Sequence, residues 1–81
     1  MKIDVRLFAV ARELAGADSI SVELPTDSTV VMLRTAIGRN FPQLSPLLPQ
    51  VLFAVGSEYA TDDTILTADA EVACIPPVSG G

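Results

Sequence analysis

Apolar and polar residues alternate over the first positions of the chain and again after Gly16. A period of two is typical of a β-strand that buries one face. Between the two alternating segments, "ARELAGAD" contains helix formers that stop at Gly16, which predicts a short turn of helix. The two strands are therefore expected to pair as a hairpin. Their inward positions are Ile3, Val5, Leu7, Ile20, Val22 and Leu24.

A helical period replaces the alternation after Pro25. The segment "TDST" offers N-cap residues, and Pro42 ends the pattern, so one main helix is predicted between them. The apolar residues at helical spacing are Val30, Leu33, Ile37 and Phe41.

The second half of the chain contains shorter elements. "PQLSPLLPQ" has too many prolines for a regular element and is expected to connect elements with one tight turn. "VLFAV" is expected to form a short central strand, "GSEYATDDT" a turn-rich loop, and "EVACI" the last strand, which ends before Pro76.

A hairpin, one helix and further strands in so short a chain predict an α+β fold in which a mixed sheet packs on a single main helix. This is the β-grasp arrangement of ubiquitin. The last strand is expected to lie parallel beside the first. Residues 1–75 would form this ubiquitin-like domain, and residues 76–81 an extended, flexible C-terminal tail.

Composition narrows the functional classes. The chain has 81 residues, 49% hydrophobic and 19% charged, which fits one folded domain. The net charge of −5 argues against nucleic acid or an anionic membrane as a target and favours a basic protein partner. "MKIDVRLF" lacks the apolar run of a signal peptide, so a cytoplasmic protein is expected.

The chain has few groups for catalysis. It contains no histidine and one cysteine, Cys74, which excludes an intrachain disulfide and a cysteine metal cluster. Strand parity predicts that Cys74 is a buried thiol of the core. Asp62 with Asp63, and Arg12 with Glu13, carry no motif and are expected to serve a turn and a solvated surface.

The same parity places apolar side chains on the solvent face of the sheet. Phe8 shares that face with the charges of the first strand, Ile75 lies outward in the last strand, and Tyr59 of the preceding loop is close enough to join them. Single exposed apolar residues are common and need no function. The three together, near the start of the tail, predict a partner-binding patch.

The tail combines stiff and slender residues. Its residues are Pro76, Pro77, Val78, Ser79, Gly80 and Gly81. A frayed end is one explanation of such a sequence. The alternative is an arm that the prolines hold extended and whose glycines, lacking Cβ atoms, enter the narrow active sites of partner proteins.

The whole chain resembles the MoaD and ThiS group of ubiquitin-like sulfur carriers, which includes the small subunit of molybdopterin synthase. The resemblance is carried by "FAVARELAG", "STVVMLRTAI" and above all "DAEVACIPPVSGG". The chain departs from the family pattern at Gly56, where Asn often precedes Gly, and at Asp69-Ala70, where Gly-Asp is usual. Both departures lie in turns.

This resemblance implies a role for the last residue. An E1-like (MoeB-like) enzyme would use ATP to adenylate Gly81, and a sulfur donor protein would convert it to a thiocarboxylate. The MoaE-like large subunit of a heterotetrameric molybdopterin synthase would then receive the tail and pass sulfur to a cyclic pyranopterin precursor, building the dithiolene of the molybdenum cofactor. The chain would hold no cofactor stably and would not be catalytic alone.

The residues themselves are also compatible with other functions. A ubiquitin-like modifier would also be adenylated at Gly81 but would end in an isopeptide bond to a lysine. Sulfur carriers for thiazole or cysteine synthesis share the Gly-Gly ending. An interaction domain with an inert tail would use the apolar patch alone.

Overall fold

The computed structural model describes residues 1–77 and shows seven regular elements in that range. In chain order they are β1 (Lys2–Leu7), α1 (Ala9–Ala15), β2 (Ser19–Glu23), α2 (Val30–Asn40), β3 (Leu52–Val55), β4 (Glu58–Tyr59) and β5 (Val72–Ile75). The proline-rich connection forms two 3₁₀ turns, Pro42–Leu44 and Leu48–Gln50, where one tight turn was expected.

The strands form one mixed sheet in the order β2-β1-β5-β3-β4. β1 pairs antiparallel with β2 and parallel with β5, so the predicted hairpin and the parallel position of the last strand are both confirmed. β5 occupies the centre of the sheet, and β3 lies between it and the edge strand β4. As expected for "VLFAV", β3 is an interior strand with a partner on each side, and its partner on the edge side is the short strand β4, which was expected to be part of a loop.

Helix α2 covers one face of this sheet. Its side chains Val30, Leu33 and Ile37 are fully buried, at the helical spacing that the sequence predicts. The inward residues of the strands meet them in a single core. This is the ubiquitin-like β-grasp fold, with α1 as a short second helix.

The start of α2 is capped by backbone groups. Thr29 occupies the N-cap position, but its side chain makes no capping hydrogen bond. The N–H groups of Val30 and Val31 instead donate to the carbonyl oxygens of Thr64 (3.0 Å) and Asp62 (2.9 Å). The turn before residue 66 thus satisfies donors that a helix leaves free at its first turn.

Arg34 ties α2 to the chain around it. One guanidinium nitrogen donates to the carbonyl oxygens of Leu48 and Val51, and the other donates to the Asp62 carboxylate at 3.0 Å. The guanidinium also lies 5.0 Å from the centre of the Phe53 ring. Arg34 therefore holds α2, the proline-rich connection and the loop at Asp62 together.

No helix within residues 1–77 is long and apolar enough to cross a membrane.

Candidate functional site

The sheet face opposite α2 carries both charged and apolar side chains. In β1 the exposed residues Lys2, Asp4 and Arg6 alternate with the buried core positions. Phe8 follows β1 in extended backbone with φ −128° and ψ 155°, and its ring remains 41% exposed. The structure thus places Phe8 on the outer face, as the alternation predicts.

Strand register arranges the outer side chains in rows. Arg6 is opposite Ala73, Ala73 is opposite Ala54, and Ala54 is opposite Tyr59. The next row towards the tail contains Ile75, which is opposite Leu52. Apolar side chains therefore continue from β5 through β3 to β4.

We define the outer apolar patch as Phe8, Leu52, Tyr59 and Ile75. Tyr59 is 71% exposed and Leu52 53%, while Ile75 is half-buried. Strands lie about 4.8 Å apart, so Phe8 beside β1 and Tyr59 in β4 are separated by roughly 14 Å. Leu52 and Ile75 fill the space between them.

Two features of this patch differ from the sequence-based expectation. Tyr59 lies in strand β4 rather than in a loop, where pairing with Ala54 fixes its direction. Leu52 was missed altogether. Its neighbours Val51 and Phe53 are buried, so Leu52 lies on the opposite, outer face. The uninterrupted apolar run "VLFAV" concealed it, because such runs are typical of strands buried on both faces.

A groove of about 550 Å³ continues the outer face away from the tail. Phe8, Ala54 and Ala73 contribute apolar wall, and the Arg6 guanidinium lies over the Phe8 ring at 5.6 Å. The groove is lined on its acidic side by Asp4, Asp69 and Glu71. Along β5, the outer face therefore changes from acidic to apolar as it approaches the tail.

The start of the tail is packed against the domain. Pro76 is buried, whereas Pro77 is exposed. The packed position of Pro76 leaves Pro77 as the first residue of any free arm, and the division of the chain at residue 75 stays a prediction. The other predicted tail residues, Val78, Ser79, Gly80 and Gly81, lie outside the described residues.

Cys74 is a core residue, as predicted. Its side chain is 1% exposed, and burial raises the pKa of the thiol to about 11. A thiol with such a pKa stays protonated at neutral pH and is a poor nucleophile. Sulfur chemistry at this position is therefore disfavoured.

The acidic residues near residue 62 are used locally. Asp62 pairs with Arg34, and Asp63 accepts a hydrogen bond of 2.6 Å from the Thr61 hydroxyl, which lowers the pKa of Asp63 below its ordinary value. Residues 1–77 contain no group of three or more His, Cys, Asp or Glu side chains placed to hold a metal ion. The described residues present the outer apolar patch beside the start of the tail.

Comparison with known proteins identifies the family. The ThiS family matches residues 5–81, nearly the whole chain. The chain belongs to the ThiS family. Within it, the chain is 38% identical over 81 residues to the molybdopterin synthase sulfur carrier subunit of Arabidopsis thaliana, covering 100% of this chain and 84% of the relative. It is 41% identical over 80 residues to the protein of that name from Dictyostelium discoideum, covering 95% and 93%.

Solved structures agree with the fold of this ThiS-family chain. Small archaeal modifier protein 1 from Haloferax volcanii superposes with a TM-score of 0.87 at 28% identity, covering 100% of both chains. A chain from the complex of subunits 1 and 2 of molybdopterin-converting factor from Helicobacter pylori superposes with a TM-score of 0.69 at 21% identity, again over 100% of both chains. The second likeness supports the fold alone.

Proposed function

We propose that this chain is the sulfur carrier subunit of a molybdopterin synthase. The observation that carries the proposal is the similarity, over nearly the whole chain, to relatives with that name at 38% and 41% identity. The described domain fits the role, because it presents an exposed apolar patch beside the start of the tail.

The reactive group in this proposal is the carboxylate of Gly81. It attacks the α-phosphorus of ATP on an E1-like enzyme, releasing pyrophosphate and forming an acyl-adenylate. A sulfide-level sulfur supplied by a donor protein then attacks the acyl carbon, the bond from that carbon to the phosphate oxygen breaks, and AMP leaves, which gives a thiocarboxylate. Glycine at the reacting position places no Cβ atom beside the carbonyl carbon, so a partner's narrow active site can enclose it.

The outer apolar patch would dock both the activating enzyme and the synthase large subunit. Each partner needs the tail in its own active site, and the patch lies next to the tail's start. A single face that serves both partners makes the two complexes mutually exclusive. Aromatic and aliphatic side chains that pack into a partner's pocket provide most of the binding energy at such interfaces.

Cationic groups for an anionic pterin would come from the large subunit. The five basic residues of this chain are Lys2, Arg6, Arg12, Arg34 and Arg39. Arg34 is bound within the fold, and Arg6 lies over Phe8 on the outer face. The acidic groove and the net charge of −5 would in turn attract a basic partner surface during encounter.

Deletion of Gly81 tests the proposal. The shortened protein is expected to lose sulfur transfer completely and to keep the melting temperature of the full chain, since a terminal glycine has no side chain to bury. Intact mass spectrometry would follow the exchange of one terminal oxygen for sulfur, with Ser79→Ala as the matched tail control. Molybdopterin formation by the shortened protein would overturn the assignment.

A second candidate function is protein modification. The superposition on small archaeal modifier protein 1, a TM-score of 0.87 over both whole chains, favours it. Modification would join Gly81 to a lysine through an isopeptide bond. Denaturing electrophoresis of extracts from the native host would show conjugates larger than the free chain, and these would disappear when Gly81 is deleted.

A further inference from the structure

The junction between β1 and α1 contains an unusual backbone conformation. Ala9, the first residue of α1, has φ +52°, which lies in the left-handed region. In residues 1–77 the other non-glycine residues with positive φ are Asp27 and Ser57. Aspartate tolerates this conformation because its side chain can hydrogen-bond to nearby backbone, and Ser57 follows Gly56 in the hairpin between β3 and β4. Alanine has no such group.

The conformation of Ala9 is imposed from both sides. The N–H of Leu7 donates to the carbonyl oxygen of Asp18 at 2.8 Å, which fixes the end of β1 against the approach to β2. On the other side, the N–H of Ala11 donates to the carbonyl oxygen of Phe8 at 3.1 Å, and the Ala11 side chain is 1% exposed. The chain must therefore turn from strand to helix within Phe8 and Ala9.

A left-handed conformation strains a non-glycine residue and persists only where the surrounding structure fully determines it. Glycine would adopt φ +52° without this strain, and the chain uses glycine at two other positive-φ positions, Gly16 and Gly56. Glycine would also let the junction occupy many more conformations. Compared with glycine, alanine at position 9 therefore makes the protein somewhat less stable but restricts the junction to fewer backbone conformations.

The residue held by this junction is Phe8. Its extended backbone keeps the ring on the outer face, where the Arg6 guanidinium lies 5.6 Å from the ring centre. We propose that Ala9 is a positioning residue: its restricted left-handed backbone holds Phe8 ready for docking, so that little rotational freedom is lost when a partner binds. The docking part of this inference rests on the proposed function, whereas the orientation of Phe8 is a property of the free protein.

The test compares Ala9→Gly with Asp27→Gly. Both variants place glycine at a positive φ, 52° and 66°, but Asp27 lies in the loop between β2 and α2, away from the outer face. In the free full-length chain, NMR would measure the ring-current shift that Phe8 imposes on the side-chain protons of Arg6. Ala9→Gly is expected to reduce that shift, and Asp27→Gly to leave it unchanged.

Binding to the synthase large subunit supplies the second measurement. Ala9→Gly is expected to weaken binding about three- to tenfold, the range expected when one side chain must be newly immobilised. The melting temperature should rise slightly, because the relief of strain at φ +52° outweighs the greater chain entropy of glycine. In a Phe8→Ala background the same substitution is expected to have no effect on affinity.

The outcomes separate the two proposals. An unchanged Arg6 shift in Ala9→Gly, or a loss of affinity that persists without Phe8, would overturn the positioning role. An equal loss of affinity in Asp27→Gly would also overturn the positioning role, since it would show that greater backbone flexibility anywhere in the domain weakens binding. If the unaltered protein fails to bind the large subunit, the proposed function fails, and the NMR comparison alone still decides whether Ala9 orients Phe8.

Discussion

The two faces of the sheet differ in how far their apolar side chains are buried. On the inner face, Ile3 and Val5 are completely buried beneath α2. On the outer face, Leu52 and Tyr59 are 53% and 71% exposed, although they belong to the same sheet. Within residues 1–77 the one long helix is α2, and it covers one face of the sheet. Apolar residues that the fold leaves uncovered add little to stability and are free to bind a partner.

The adjacent residues Phe53 and Leu52 give the largest contrast between the faces. Phe53 is 1% exposed in the core, so Phe53→Ala is expected to lower the free energy of unfolding by about 3–5 kcal/mol. Leu52→Ala removes a half-exposed side chain and should change it by about 0.5 kcal/mol or less. Urea unfolding of both variants measures the difference. Similar losses would mean that the outer face also contributes to the core.

Substitutions on the outer face should affect binding while leaving the fold intact. Phe8→Asp and Ile75→Asp are each expected to weaken binding to both the activating enzyme and the large subunit by about 1–3 kcal/mol. Isothermal titration calorimetry would measure both complexes. Ile65→Asp is the matched control, because Ile65 is 60% exposed beside the start of α2. Unchanged affinity in the Phe8 and Ile75 variants would remove the patch from the docking surface.

The salt dependence of the binding rates separates the roles of the acidic groove and the apolar patch on the outer face. Higher ionic strength is expected to slow association with the large subunit markedly and to affect dissociation less, since charges guide encounter while apolar contacts hold the complex. Stopped-flow rates should show a shallower salt dependence for Glu71→Gln, whose residue lines the groove. Glu13→Gln removes the same charge from α1 and is the control. If the association rates of the two variants depend equally on salt, the overall charge of −5, and not the groove, guides the encounter with the large subunit.

The smallest expected effect at neutral pH concerns Cys74 on the inner face. Burial raises the pKa of its thiol from 9.0 to about 11, so the unfolded chain loses this proton first as pH rises. The thiol's contribution is fully present below pH 9 and is lost as pH rises towards 11. Comparison of unfolding free energies with Cys74→Val over that interval isolates this contribution. A parallel pH dependence in the two proteins would show that Cys74 does not contribute.

Much of the fold was predictable because local patterns and tertiary packing agree. Alternation in β1 and β2 and the helical spacing of Val30, Leu33 and Ile37 each bury one side of an element. The chain order then leaves few ways to join those faces. Strand β4 was not predictable in this way, since Glu58 and Tyr59 are both exposed and gain their strand geometry by pairing with β3.

The outer apolar patch was predictable in part. Parity alone placed Phe8 and Ile75 outward, because side-chain direction in a strand depends on the local backbone. Membership of Leu52 in the outer apolar patch depends on its register opposite Ile75, and β5 lies about twenty residues away in sequence. The acidic groove likewise needs β1, β3 and the segment before β5 to meet.

By itself, the sequence determined the periodicities, the buried parity of Cys74 and the Gly-Gly ending, since these depend on residue type and spacing along the chain. Only the tertiary structure decided the use of Arg34 as an internal link, the backbone capping of α2 by residues 62 and 64, and the left-handed conformation of Ala9. Each of these depends on groups distant in sequence that satisfy or constrain one another, and no local pattern records which groups will meet.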